Sequence, residues 1–74
     1  MTTMNEIRAV LESNNPDTVF HSQTEEVLFC MIPEMGYPFE VAIYLHKDGS
    51  ILDVADEMRM AYPDFEAWKA EQIG

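Results

Sequence analysis

The sequence predicts a small α+β domain, in which an antiparallel sheet of three to four strands is flanked by an N-terminal helix and by one or two C-terminal helices. Three observations favour this class. Apolar residues recur at helical spacing near the N-terminus, extended apolar and alternating segments fill the middle of the chain, and helical spacing returns in the last third. The 74 residues make one acidic domain, 1–74, with no room for a second.

The first helix is predicted at residues 3–13. Thr3 and Glu6 fit a capping box, in which each side chain bonds the backbone N–H of the other residue. Pro16 ends the helix because it disfavours a helical conformation at Asn15, and asparagine tolerates a left-handed cap. One apolar face follows helical spacing and consists of Met4, Ile7, Val10 and Leu11.

The middle of the chain predicts strands. Residues 18–22 form a short edge strand, and residues 25–32 are apolar on both faces, which predicts a central strand covered at least partly on both sides. Residues 39–46 alternate between apolar and polar side chains. Asp48-Gly49 is a hairpin signal that joins this strand to another at residues 50–52.

The last third of the chain predicts helix. Asp53 can cap a helix that begins near residue 54, and Pro63 then interrupts the pattern or lies in the first turn of a second helix. We expect two helical segments, at residues 54–61 and 63–72. They fold around an apolar cluster of Val54, Met58, Tyr62, Phe65 and Trp68.

The sequence lacks the motifs of an enzyme or of a metal site. The single cysteine, Cys30, lies in an apolar segment and is predicted to be buried and unreactive. His21 and His46 lie in different predicted strands, without the spacing of zinc ligands. We therefore predict a protein that is not an enzyme, with no catalytic residue, no cofactor and no metal.

The formal charge is −10, from fourteen acidic and four basic residues. Such a chain is repelled by nucleic acids and by anionic membranes, so we expect it to bind neither directly. The segment from Ala9 to His46 contains no lysine or arginine. Three pairs at helical spacing can neutralise acids locally, namely Arg8–Glu12, Asp56–Arg59 and Glu66–Lys69.

We expect acids outside these pairs to form a binding surface for a basic protein. Opposite charge steers such partners together and makes their contact sensitive to salt. With one cysteine, no signal-peptide pattern and no long apolar segment, the chain is expected to be a cytoplasmic monomer. The candidate partner-binding residues are Glu25, Glu26, Glu34 and Glu40 from the segment without basic residues, and Asp53, Glu57, Asp64 and Glu71 from the predicted C-terminal helices.

In its size, acidity, scarcity of cysteine and lack of enzymatic motifs, the chain resembles the small acidic anti-CRISPR proteins of bacteriophages and mobile elements, above all those directed at type I systems. The resemblance concerns the character of the whole chain and rests on no diagnostic motif, so it assigns a role to no residue. It implies an acidic nucleic-acid mimic in the bacterial cytoplasm. Such a mimic binds the basic DNA-binding groove of a type I Cascade complex, with type I-C the expected subgroup, and blocks target DNA.

Two other hypotheses fit the same charge. A small regulatory or immunity-type protein would neutralise a basic partner such as a toxin or a nuclease. A housekeeping domain could be acidic only for solubility, in which case charge reversal at any acidic cluster would leave its function intact. The identity of the partner separates the anti-CRISPR hypothesis from the immunity-type hypothesis, because only a nucleic-acid mimic competes with the DNA of a CRISPR complex.

Overall fold

The fold is a five-stranded antiparallel sheet with two helices, seen in a computed structural model that describes residues 1–55 and 58–73. The strands lie in the order in which they occur along the chain, so each pairs with its neighbour in sequence. The predicted α+β class is confirmed, with five strands where three to four were predicted. In chain order the elements are α1 (Met4–Asn14), β1 (Val19–Gln23), β2 (Val27–Glu34), β3 (Tyr37–Leu45), β4 (Ile51–Ala55), β5 (Met58–Tyr62) and α2 (Phe65–Ile73).

Helix α1 begins at the predicted Thr3 cap, whose hydroxyl accepts a hydrogen bond from the backbone N–H of Glu6 at 3.3 Å. The Glu6 carboxylate accepts a bond from the Thr3 hydroxyl at 3.4 Å in place of the predicted bond from the Thr3 backbone N–H. At the other end Asn15 is extended, with φ −141° and ψ 95°, and the predicted left-handed cap is wrong. Pro16 accounts for this, because proline favours an extended conformation in the residue before it.

Two tight turns set the register of the central strands. Met35 and Gly36 have positive φ angles of 52° and 78°, which suit a two-residue hairpin whose twist matches that of the strands it joins. The predicted Asp48-Gly49 hairpin is confirmed. Gly49 has a φ of 87°, and the Asp48 carboxylate accepts a 2.9 Å bond from the backbone N–H of Ser50.

The predicted helix at residues 54–61 is wrong where the structure describes it, because β4 and β5 pair as neighbouring strands. Asp53 lies opposite Met60 of β5 and opposite Ile43 of β3. The predicted cap at Asp53 is therefore wrong too. Helix propensity is a weak preference, and the ladder of hydrogen bonds offered by the edge of β3 overrides it. Residues 56 and 57 lie outside the described part of the chain.

Helix α2 corresponds to the predicted helix at residues 63–72. Its first turn is capped by Asp64, whose carboxylate accepts a 2.7 Å hydrogen bond from the backbone N–H of Ala67. Pro63 precedes this cap and does not lie in the first turn. The fixed φ of proline therefore directs the chain out of β5, and the aspartate begins the helix.

Both helices pack on one face of the sheet and build the core with it. The predicted apolar face of α1 is buried, and Trp68 of α2 is completely buried. Val54, which was predicted to join the C-terminal cluster, lies instead on the opposite face of the sheet, in register with Ala42. The core residues are Met4, Ile7, Val10, Leu11, Leu28, Cys30, Val41, Ile43, Ile51, Phe65 and Trp68.

The second face of the sheet carries no helix in the described part of the chain, so the predicted cover on both sides of residues 25–32 is wrong. Phe29 is 44% exposed there, whereas its neighbours Leu28 and Cys30 are buried under the helices. We call this second face the outer face. Its apolar residues are Val19, Val27, Phe29, Met31, Ala42, Tyr44, Leu52 and Val54.

Candidate functional site: an acidic groove at the helix ends

Three of the predicted site residues come together in one groove on the helix side of the sheet. Glu34 ends β2, Asp53 lies in β4 and Glu71 lies in α2, and all three line a groove of about 620 Å³. We call it the acidic groove. Its other lining residues are Asn14, Asn15, Ile32, Phe39, Val41, Ala55, Met60, Tyr62 and Gln72.

The alternation of strand residues explains why these acids face the helices. Side chains two residues apart in a strand point to the same face of the sheet. Glu34 therefore follows Ile32 on the inner face, and Asp53 follows the buried Ile51. Both acids lie where the inner face extends into the groove between the helix ends.

The groove also receives the C-terminal ends of both helices. Asn14 and Asn15 end α1, and Glu71 and Gln72 belong to the last turn of α2. The last carbonyl groups of a helix carry a partial negative charge. Neither helix has a basic residue in its last turn to offset this charge. The backbone therefore adds to the negative potential of the three carboxylates.

The titration of the neighbouring groups reflects this environment. Burial raises the pKa of Asp53, which is half-buried. Burial also raises the pKa of Tyr62, and the nearby charges of Asp53 and Glu71 raise it further. None of the described residues that line the groove is a lysine or an arginine. The groove is therefore suited to an ammonium or guanidinium group supplied from outside the chain.

The other predicted site residues lie elsewhere. Glu25 and Glu26 occupy the turn between β1 and β2 and line a second groove of about 710 Å³, where Lys47 is also present. Glu40 lies on the outer face, and one of its carboxylate oxygens is 3.1 Å from Nε2 of His21. The eight predicted residues therefore do not share one surface.

The last two predicted residues do not belong to the acidic groove. The Asp64 carboxylate caps α2, and Glu57 lies outside the described residues.

Sequence reasoning missed Asn15 and Tyr62 as groove residues. The alternation of residues 51–55 would have placed Asp53 on the inner face if this segment had been recognised as a strand.

The local ion pairs were predicted with mixed success. Lys69 and Glu66 form the predicted pair, with Nζ 3.1 Å from a carboxylate oxygen. Arg8 instead donates to the Gln23 side chain at 3.2 Å and lies 4.2 Å from the centre of the Phe20 ring. The pair predicted between Asp56 and Arg59 lies outside the side chains that the structure describes.

Within residues 1–55 and 58–73, no three side chains of His, Cys, Asp or Glu are grouped so that they could hold a metal ion. The three carboxylates of the acidic groove thus line it without converging on one point.

In the same part of the chain no helix is long and apolar enough to cross a membrane. No known protein family, curated protein or solved structure matches the chain.

Proposed function

We propose that this protein is a non-enzymatic inhibitor that binds a basic nucleic-acid-binding surface through the acidic groove and excludes the nucleic acid. The observation that carries the proposal is the groove itself. Glu34, Asp53 and Glu71 line it together with two helix C-termini, and no described lysine or arginine lines it. A lysine or arginine that normally contacts phosphate would find carboxylates here, and the formal charge of −10 would steer it to them.

The groove is built to receive a side chain and not only a charge. Phe39, Met60 and Tyr62 add apolar and aromatic surface beside the carboxylates. Lysine and arginine have apolar stems that pack on such surface while their charged ends reach an acid. This combination favours a protein surface rich in lysine or arginine as the partner, over a small inorganic cation.

The resemblance to type I anti-CRISPR proteins makes the DNA-binding groove of Cascade, with type I-C first, the target to test. The experiment measures displacement of labelled target DNA from purified Cascade by fluorescence anisotropy. The groove variant carries Glu34→Gln, Asp53→Asn and Glu71→Gln. The control variant carries Glu12→Gln, Asp17→Asn and Glu25→Gln, three exposed acids outside the acidic groove. Each variant loses three negative charges, so the two have the same net charge.

We expect the wild type to displace DNA at low salt and to lose potency as salt is added. Each charged contact in such an interface accounts for roughly a tenfold change in affinity, so the groove variant should be weaker than the control by about a hundredfold or more. Unchanged DNA binding by Cascade at excess protein would overturn the Cascade target. Equal loss in both variants would overturn the groove as the binding site.

The same groove supports one other candidate, an immunity-type protein that neutralises a basic nuclease or toxin. The mixture of apolar and acidic residues in the groove favours this candidate as much as it favours the Cascade inhibitor, because basic nucleases and toxins also present lysine and arginine side chains. The immunity-type hypothesis predicts that the protein inhibits a basic nuclease and has no effect on Cascade. The groove and control variants separate groove binding from diffuse attraction in that assay too.

A further inference from the structure

The turn between β2 and β3 contains a methionine at a position that favours other residues. Met35 and Gly36 both have positive φ angles, 52° and 78°, as a type I′ turn requires. The first of these positions favours asparagine, aspartate or glycine, because most other side chains are strained in the left-handed region. The turn between β3 and β4 contains residues of this kind, Asp48 and Gly49. Among the residues that the structure describes, Met35 is the one non-glycine residue with a positive φ.

The Met35 side chain receives no compensating contact within the described chain. Its relative exposure is 101%, and Tyr37, two residues further on, is 57% exposed. A single exposed apolar residue is ordinary on a protein surface. A residue that also holds a strained backbone conformation requires a gain from elsewhere, and such residues cluster at functional sites. We therefore expect the gain at Met35 to come from contact with a partner.

The turn lies at the tip of a two-stranded arm. The described ladders of β1 and β4 end at Met31 and Val41, so residues 32–40 extend past both neighbouring strands. We call residues 32–40 the hairpin arm. Pro33 pairs with Pro38 within it, and the fixed φ angle of each proline stiffens the arm behind the turn. A rigid arm loses little conformational entropy when its tip binds.

The hairpin arm is continuous with the acidic groove. Glu34 and Tyr37 are paired on either side of the turn, and they lie on the same inner face as Ile32 and Phe39. Glu34, Ile32 and Phe39 all line the groove. The rings of Tyr37 and Phe39 pack with their centres 4.9 Å apart. Apolar surface therefore runs from the tip of the arm to the groove, beside the Glu34 carboxylate.

We propose that Met35 is an apolar anchor that enters an apolar pocket of the basic partner, next to the lysine or arginine side chains that the acidic groove receives. This inference rests on the proposed function and adds a second kind of contact that the partner supplies. Methionine and tyrosine are enriched in protein interfaces, and the flexible methionine side chain fits irregular pockets. Opposite charge steers the partner, whereas a buried apolar anchor adds affinity that salt does not screen.

The test uses three variants in the assay that measures displacement of labelled target DNA from purified Cascade. Met35→Asn removes the anchor and supplies a residue that the turn favours. Met35→Leu keeps an apolar side chain at the same position. Tyr44→Thr is the matched control, because Tyr44 is 37% exposed and lies opposite Val27, at the end of the β2–β3 ladder far from the turn.

We expect Met35→Asn to displace DNA about tenfold less potently than the wild type. The factor should be similar at low and at high salt, because an apolar contact is not screened, whereas the effect of the triple groove variant should shrink as salt is added. Met35→Leu and Tyr44→Thr should stay within about threefold of the wild type.

The stability of Met35→Asn provides a second measurement, since this variant relieves the strain in the turn. Its thermal midpoint, followed by circular dichroism, should rise by roughly 3 °C. Weaker binding by a more stable protein cannot result from unfolding. A midpoint below that of the wild type would overturn the proposal, because the methionine would then stabilise the turn by itself.

The other outcomes separate this proposal from the proposed function. If the wild type displaces DNA and Met35→Asn does so equally well, the anchor is wrong and the groove proposal stands. Equal losses in Met35→Asn and Met35→Leu, or in Met35→Asn and Tyr44→Thr, would overturn the anchor as well. No displacement by the wild type would overturn the Cascade target and this proposal together.

Discussion

The side-chain amide of Asn15 donates a 2.6 Å hydrogen bond to the backbone carbonyl of Pro33. The bond ties the end of α1 to β2, one residue before Glu34 of the acidic groove. The Asn15 side-chain oxygen also accepts a 3.2 Å bond from the backbone N–H of Asp17. The Asn15 side chain therefore fixes both the C-terminal end of α1 and the part of β2 that lines the acidic groove.

Asn15→Ala should destabilise the protein by about 1–2 kcal/mol, because it removes this bond and leaves the part-buried Pro33 carbonyl without its donor. The free energy of unfolding from urea titration measures the effect. Asn14→Ala is the control, since Asn14 is the exposed preceding residue and lies within the helix. Equal losses in the two variants would contradict a special role for Asn15.

Asp53→Asn should stabilise the protein at neutral pH and have less effect in acid. Burial raises the folded-state pKa of Asp53 above its ordinary value of 3.8. Between the unfolded and folded pKa values the native state holds more protons than the unfolded state, so stability falls as the pH rises through this window. Above this pH window the charged Asp53 side chain lowers the free energy of unfolding by its full amount. Urea titrations from pH 3 to pH 8 should show the gain from Asp53→Asn growing with pH.

Asp48 provides a control of opposite sign for that series. Hydrogen bonds from the Ser50 side chain and backbone lower the pKa of Asp48 below its ordinary value of 3.8. Its contribution is therefore present above the unfolded-state pKa and is lost as the pH falls through the lower folded-state pKa. Asp48→Asn should destabilise the protein at neutral pH and lose its effect in acid. Parallel pH profiles for the two variants would contradict both assignments.

Cys30 should react very slowly with thiol reagents in the folded protein. Its side chain is completely buried, and burial, followed by the charges of Glu40 and Asp53, raises its pKa from 9.0 to about 11. At pH 8 this shift alone lowers the thiolate fraction roughly a hundredfold, and only the thiolate reacts. A disulfide reagent monitored by absorbance gives the rate. The protein unfolded in guanidinium chloride is the control, and a native rate close to the unfolded one would contradict the burial.

The fold could be predicted from the sequence wherever a local signal was strong. The Thr3 cap, the apolar face of α1 and the Asp48-Gly49 turn are local features, and the structure confirms them. The strand pair β4–β5 could not be predicted in the same way. Its helix-forming residues are overridden by the two ladders in which β4 takes part, with β3 on one side and β5 on the other, and these contacts lie outside the local pattern of residues 54–61.

The candidate site was predicted in part for the same reason. Glu34, Asp53 and Glu71 were named from the lack of basic neighbours, and that reasoning carries no information on which acids are close in space. These three side chains lie close together because of the register of β2 and β4 and the position of the C-terminal end of α2. The contribution of the helix ends also needs the fold, because Asn15 and Gln72 are far apart in the chain.

Trp68 carries a buried polar group that the fold leaves without a partner. The side chain is completely buried, and its indole N–H has no hydrogen-bond acceptor within the described structure. The indole stacks on Phe65 with ring centres 5.9 Å apart and meets the Tyr62 ring edge-on at 6.4 Å. Trp68 therefore stabilises the core through its area and its ring contacts, against the cost of an unpaired N–H of about 1–3 kcal/mol.

Trp68→Phe should change the free energy of unfolding by less than about 1 kcal/mol, because removing the unpaired N–H offsets the smaller ring and the small cavity it leaves. Trp68→Ala should cost about 3–5 kcal/mol, a large share of the stability of a domain of this size. Circular dichroism in urea measures both variants, since the chain has one tryptophan and each variant removes its fluorescence. If Trp68→Phe were as damaging as Trp68→Ala, removal of the unpaired N–H would not offset the smaller ring, and the proposed balance between packing and the buried polar group would be wrong.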